Sequence, residues 1–190
     1  MEIHEITECI RKITTEKRFK HSIGVSETAV KLAKHYGIDE KKAKLAGLMH
    51  DCVKNLDIDE MLRLCKEFGC ELDFVMQNEP KIIHGPLGAY YAKEVFGICD
   101  DEIFDAIYYH TTGKADMPML TKIIYIADVI EPNRNFSDVE EFRKQAFCDI
   151  DIAILKVMDY TTKKIIDGGR MLHHETINAR NYLLAKGVKA

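Results

Sequence analysis

The stretch Leu45-Ala46-Gly47-Leu48-Met49-His50-Asp51-Cys52-Val53-Lys54-Asn55 constrains this chain more than any other. It sets a histidine and an aspartate side by side in a run of small and apolar residues that reads as a buried helix. Burying an ionised carboxylate is costly unless a cation or a metal compensates it, so any fold that takes this stretch into its core must bring such groups to it. On a helix, Gly47, His50, Asp51 and Lys54 recur at spacings of three and four and share one face. That face offers a nitrogen ligand, a carboxylate oxygen and, one turn on, a cation, with Gly47 leaving room beside them. These ligand types suit Zn, Fe, Mn or Co, and the lack of sulfur argues against a purely structural zinc.

A metal takes more than two ligands, so other polar residues in apolar helical surroundings become candidates. His21 precedes a second helical run, His84 stands just before Gly85-Pro86, and His110 ends an apolar helix. Asp128 lies within Ile123-Ile124-Tyr125-Ile126-Ala127-Asp128-Val129-Ile130, a poor place for an unpaired carboxylate. Each has an ordinary alternative. Taken singly, such a histidine is more often a hydrogen-bonded core or surface residue, and Asp128 could simply pair with Arg134. Their joint occurrence is what points to a site. His35 suits a helix C-terminus, where its charge complements the dipole, and His4 reads as surface.

The rest of the chain reads as helices. Ile3, Ile6, Ile10 and Ile13 recur at helical spacing, in a stripe that fits a core or a homodimer interface equally. A second helix follows Arg18 and ends at Gly37. Asp39 caps a third, which carries His50-Asp51, and Asp57 or Asp59 a fourth, ending at Gly69. After a less regular stretch over 70–81, Gly85-Pro86 opens a helix closed by Gly97. Asp100-Asp101 opens one reaching His110. Met119 to Ile130 is long enough that helix is preferred over a buried strand at Ile123 to Ile126. Helical runs from Asp138, from Ile150 to Ile166 and from Glu175 to about Ala185 complete the chain. The expected fold class is all-α, one helical bundle over residues 1–190.

At 190 residues the chain suits one domain with a substantial core. A net charge of -4 gives no basic surface for nucleic acid. No apolar run approaches the roughly 18 residues of a membrane span, and the acidic N-terminus is unlike a signal or transit peptide. Six scattered cysteines without CxxC spacing read as reduced thiols, which places the chain in a reducing cytoplasm.

The order His21, His50-Asp51, His84, His110, Asp128 resembles the HD-domain metal-dependent phosphohydrolase superfamily. The match is closer to one branch. Arg18-Phe19-x-His21, His50-Asp51-x-x-Lys54, His84-Gly85-Pro86-x-Gly88-Ala89, His110-Thr111-Thr112-Gly113 and Ile126-Ala127-Asp128-x-Ile130-Glu131-Pro132-x-Arg134 are all similar to the YqeK family, from about Arg18 to Asn181. That resemblance implies symmetrical hydrolysis of diadenosine tetraphosphate, a dinucleoside polyphosphate, to two ADP, or to a GDP-type product from the guanine analogue. It implies His21, His50, Asp51 and Asp128 as ligands of iron, one ion or two, with Mn or Co as substitutes. His84 and His110 would complete a second metal position or bind phosphate. Arg18, Lys54, Thr111, Arg134 and the loop with Arg170, Leu172, His173, His174 and Glu175 would hold the nucleotide. On this reading residues 18–134 form the metal-binding core, and the helices of 138–190 complete the nucleotide site. One departure is visible, His173-His174 where the family has His-Pro.

Differences exclude relatives. Hydrolases of guanosine tetraphosphate carry Glu-Asp where this chain has Lys54-Asn55, and the Gly-Tyr-Pro motif of cyclic-dinucleotide phosphodiesterases is absent. Lys54 and Arg134 favour a polyphosphate over the uncharged polyol of HD-type oxygenases. In the expected mechanism Asp51 orients a metal-activated water, Lys54 and Arg134 offset phosphate charge, and His110 or His84 protonates the leaving group. Two alternatives stand beside it: a broader HD nucleotidase or nucleoside-triphosphate phosphohydrolase, and a metal-dependent nucleotide-binding regulator without turnover.

Overall fold

The computed structural model describes residues 1–189, which form eleven α-helices and a 3₁₀ turn, with no strand among the described residues. The helices are α1 Ile3–Ile13, α2 Glu16–Tyr36, α3 Glu40–Met49, α4 Ile58–Phe68, α5 Phe74–Asn78, α6 His84–Phe96, α7 Asp101–Tyr108, α8 Met119–Ile130, α9 Val139–Cys148, α10 Ile150–Asp167 and α11 His174–Ala185. The 3₁₀ turn is Pro80–Ile82.

Capping chemistry sets most of the boundaries. Asp39, Asp57, Asp73, Asp100 and Asp149 each accept hydrogen bonds from the first backbone N–H groups of the helix they precede. Gly37, Gly69 and Gly97 end α2, α4 and α6 in the left-handed conformation that glycine adopts without steric cost. The run from Met119 to Ile130 is helix throughout, and its Ile123, Ile124, Ile126 and Ala127 are wholly buried. A helix apolar all round must sit inside the molecule. Around α8 pack α2, α7, α10 and α9, with α3 laid along α2 and α6 along α7. Within the isoleucine stripe of α1, Ile6 and Ile10 enter the core while Ile13 stays 40% exposed. All six cysteines are free thiols, and no helix among the described residues is long and apolar enough to cross a membrane.

The second helix begins earlier than the sequence suggests, at Glu16, so Arg18 and His21 lie within it, and two helices end earlier than expected, both at the site. The third helix stops at Met49, so His50 and Asp51 lie in the tightened turn beyond it. There the backbone switches to i→i−3 bonds: Cys52 N–H to Met49 O, Lys54 N–H to Asp51 O and Leu56 N–H to Val53 O. Residues three apart eclipse under such winding, which lines Lys54 up with Asp51. Similarly α7 ends at Tyr108, leaving His110 in the turn that follows. Apolar periodicity continues through such a turn because its residues are still buried, so the pattern overruns the helix end.

Candidate metal centre

Four histidines converge at one end of the bundle: His21 from the first turns of α2, His50 beyond α3, His84 at the start of α6 and His110 beyond α7. All are buried, the most exposed being His21 at 8%. The outer nitrogen of three of them faces the carbonyl three residues back. His50 Nδ1 meets Gly47 O, His84 Nδ1 meets Lys81 O and His110 Nδ1 meets Ile107 O, each at 2.7 Å. A carbonyl only accepts, so each Nδ1 carries its hydrogen and each Nε2 is left as a bare lone pair. His21 reaches the same state by another route, with Nδ1 3.1 Å from Oε1 of Glu131.

These lone pairs point at one another. His21 Nε2 and His50 Nε2 are 3.2 Å apart, and His84 Nε2 and His110 Nε2 are 3.1 Å apart. Two acceptors cannot hydrogen-bond each other, and a cation between them would satisfy both. Asp51 lies between the pairs with one oxygen toward each. Its Oδ2 is 3.4 Å from His50 Nε2 and 3.6 Å from His21 Nε2. Its Oδ1 is 3.1 Å from His84 Nε2 and 3.5 Å from His110 Nε2, yet this buried oxygen has no hydrogen-bond partner. Asp128, near the end of α8, brings Oδ1 to 3.0 Å from His21 Nε2 and 3.9 Å from His50 Nε2. The nitrogen and oxygen donors therefore fit divalent metal in two adjacent positions sharing Asp51.

Charge in the centre is balanced. Burial opposes ionisation of Asp51, but the imidazoles around it, His50 first, outweigh burial and hold the carboxyl well below its usual range. Burial likewise opposes ionisation of Asp128, and His21, His50 and Arg134 overcome it. Burial, aided by the charge of Lys54, pushes His84 down to about 4, which keeps its ring neutral. Burial also lowers Lys54, with Asp51 pulling the other way. Its ammonium is 2.6 Å from His84 Nε2 and 3.8 Å from Asp51 Oδ1. Arg18 donates to Asp51 Oδ2, and Arg134 donates to Asp128 through both its side-chain oxygen and its carbonyl.

Of the residues singled out in the sequence, the structure brings His21, His50, Asp51, Lys54, His84, His110, Asp128, Arg18 and Arg134 into this cluster. Thr111 lies close by, its buried hydroxyl unpartnered and packed where a side chain on Gly85 would sit, 3.2 Å from that position. The C-terminal loop is tied to the segment around α5. Arg170 pairs with Glu79 at 3.0 Å, Met171 N–H donates to the same carboxylate, and His173 Nε2 donates to Asp73 at 2.7 Å. His173 caps α11 by accepting from Glu175 N–H at Nδ1, so Nε2 holds the hydrogen and has no lone pair for a metal. His174 is the first residue of α11, the position where proline also fits a helix start. Leu172 and Glu175 are half-buried beside them.

Sequence reading gave Glu131 no role of its own, quoting it only within the motif from Ile126 to Arg134. It is 1% exposed, and its Oε2 accepts from both Asn133 N–H and the Asn133 side-chain amide. Its own carbonyl is gripped by Arg143 of α9. A carboxylate on the outer nitrogen of a metal-directed histidine fixes ring orientation and tautomer. The available signal was its position three residues after Asp128, immediately past the end of α8.

A family model described as "HD domain" matches residues 18–133. The chain belongs to the HD domain family. A Halalkalibacterium halodurans protein named bis(5'-nucleosyl)-tetraphosphatase, symmetrical, is 42% identical over 170 residues, 90% of each chain. A Bacillus subtilis protein of the same name is 35% identical over 185 residues, 97% of this chain and 99% of its own. The crystal structure of a Clostridium acetobutylicum protein described as a "predicted HD superfamily hydrolase involved in NAD metabolism" matches with a TM-score of 0.95 at 45% identity, covering 98% of both chains. Within the HD family, then, the similarity runs along essentially the whole chain and includes the C-terminal helices.

Proposed function

We propose that this HD-family chain is a metal-dependent hydrolase that splits diadenosine tetraphosphate symmetrically into two ADP, with the guanine analogue giving GDP. The observation that carries the reading is the set of four inward Nε2 lone pairs around Asp51, rimmed by Arg18, Lys54 and Arg134. His21, His50, Asp51 and Asp128 would hold one cation; His84, His110 and the second oxygen of Asp51 would hold the other. We take iron as the resident metal, with Mn or Co as substitutes, since nitrogen and oxygen donors without sulfur accept all three. Bound there, the ions supply a water ionised at neutral pH and positive charge for the phosphates.

The protein's own groups do the rest. Asp51, Asp128 and Glu131 are matched by Arg18, Lys54 and Arg134, so the chain's formal charges at the centre cancel. A tetraphosphate carries one negative charge per phosphate, and divalent ions bound at the centre would supply the excess positive charge to meet it. Phosphoryl transfer depends on positioning and charge stabilisation, and Lys54, eclipsed on Asp51, stands where non-bridging oxygens of the split phosphates gather. His84 and His110 carry their hydrogens on the outward nitrogen, so they would serve as metal ligands, and Lys54 and Arg134 would offset charge on the leaving ADP. Thr111 supplies an unpartnered hydroxyl for a phosphate oxygen. Arg170, Leu172, His173, His174 and Glu175 would complete the nucleotide site from the C-terminal helices of one HD-type domain. The compartment we assign is the cytoplasm, where the six free thiols stay reduced.

Metal-loaded protein incubated with diadenosine tetraphosphate is expected to yield two ADP. ATP plus AMP would overturn symmetrical cleavage, and intact substrate would leave a nucleotide-binding regulator instead. Asp51→Asn is expected to abolish turnover at matched metal occupancy, and wild-type turnover would remove Asp51 from the mechanism.

A further inference from the structure

A substrate with two identical halves, cut at its middle, needs a place for a nucleoside on each side of the metal centre. The loop of residues 170–175 lies on the side of α5. The opposite side, along α2, opens into two adjoining cavities that share Lys20 and Asn133. The inner one, of about 320 Å³, reaches His21 and is lined by Lys17, Arg18, Lys20 and Arg134. Its one acid, Glu131, is turned to His21 and Asn133. Arg18, although paired with Asp51 through one terminal nitrogen, has a buried Nε with no acceptor. Four cations and an orphan donor describe a seat for phosphates.

The outer cavity, of about 540 Å³, has different chemistry. Phe19, Ile23 and Pro132 contribute apolar walls, and Glu27 and Thr7 offer oxygens. The Arg11 guanidinium lies 4.3 Å over the Phe19 ring and is half exposed, a cationic plate on which an aromatic base can stack. His21 to Glu27 spans roughly 9 Å of helix, comparable to the length of a nucleoside diphosphate. Both volumes lie in the range of small-molecule sites, about 300 to 1,000 Å³.

We propose that this cleft binds the distal nucleoside diphosphate half of the substrate. The phosphates lie against Lys17, Lys20, Arg18 and Arg134, and the nucleoside lies between Arg11 and Ile23. The assignment makes the cleft the feature that selects two-headed substrates over one-headed ones. It rests on the hydrolase reading above, and the test separates the two.

Arg11→Glu and Ile23→Glu are compared with wild type on diadenosine tetraphosphate and on adenosine tetraphosphate, which has one nucleoside. Arg11 is exposed on α1, so its variant keeps the fold if the Ile23 variant does not. Both are expected to raise KM for the two-headed substrate about tenfold while that for adenosine tetraphosphate moves less than twofold. Equal KM values in wild type and Arg11→Glu overturn the subsite and leave the hydrolase standing. If wild type yields no product, binding of the methylene-bridged substrate analogue is measured calorimetrically. Binding weakened about tenfold in Arg11→Glu upholds the subsite without the hydrolase; unchanged binding, or none to wild type, refutes it.

Discussion

Replacing Gly24 by alanine should weaken metal binding without touching a ligand. Gly24 lies in α2, one turn after His21, and packs directly against the carboxylate that orients that histidine. A Cβ built there would lie 2.5 Å from Glu131 Oε2, 3.3 Å from its Cδ and 3.2 Å from Asn133 Nδ2. A carbon and an oxygen that close must separate by roughly half an ångström or more to reach ordinary contact. A free glutamate would swing aside at little cost. Glu131 is held by Asn133 at 2.7 and 2.9 Å, by Arg143 at its carbonyl and by burial, so yielding breaks the geometry with His21 Nδ1. Loss of such an outer partner typically lowers metal affinity about 10- to 100-fold, or roughly 1.4 to 2.7 kcal/mol. The metal-free protein responds differently. Alanine in a helix interior is favoured over glycine by about 0.5–1 kcal/mol, which offsets a hydrogen bond worth about the same. Calorimetric titration of metal-free Gly24→Ala with Mn²⁺ should therefore show the weakened affinity while the melting temperature stays within a few degrees of wild type. Wild-type affinity would refute the orienting role of Glu131; a collapsed melting temperature would mean that the clash is structural.

Lys54→Ala should depress turnover by about 10²–10³, the scale of a lost oxyanion donor, with metal content near normal; loss of metal would make Lys54 structural. In the metal-free protein, His84 has a folded pKa of about 4 against about 6.5 when exposed, so on acidification the unfolded chain takes the proton first. Its contribution is intact above pH 6.5 and erodes down to pH 4, by on the order of 3 kcal/mol. Denaturant titrations across that window should show a shallower slope in His84→Asn, and an unchanged slope would refute the assignment. His174→Pro, at the first position of α11, should raise stability by about 0.4–1 kcal/mol, read as a higher urea midpoint, and a fall would show that the backbone there needs its N–H.

Much of this arrangement was legible because its signals are local. Aspartate caps and a closing glycine marked the start of α3 and both ends of α4, and the unbroken apolar run marked α8. The candidate ligands were legible because charged and imidazole groups are conspicuous where everything else is apolar. The overrun of α3 past Met49 was not, since a buried i→i−3 turn keeps the apolar pattern of the helix before it. Glu131 was also hidden. An acid at a helix end before proline is ordinary, and only the distant approach of His21, 110 residues away in the chain, gives it a task. The tie of Arg170 to Glu79 is equally non-local, which is why the 170–175 loop was readable as a motif but not as a strap to α5.

The three i−3 carbonyl contacts bear on the order in which the molecule is assembled. His50, His84 and His110 each have their tautomer set by a carbonyl three residues earlier, within a single turn of chain. Those imidazoles can present metal-ready faces as soon as their own segments fold, during synthesis or refolding. His21 cannot. It emerges first and is completed last, when the end of α8 docks, brings Glu131 to it and is clamped in turn by Arg143 from α9. The position built on His84 and His110 should therefore be competent for metal before the one built on His21. A pulse of metal early in refolding would fill the two in that order.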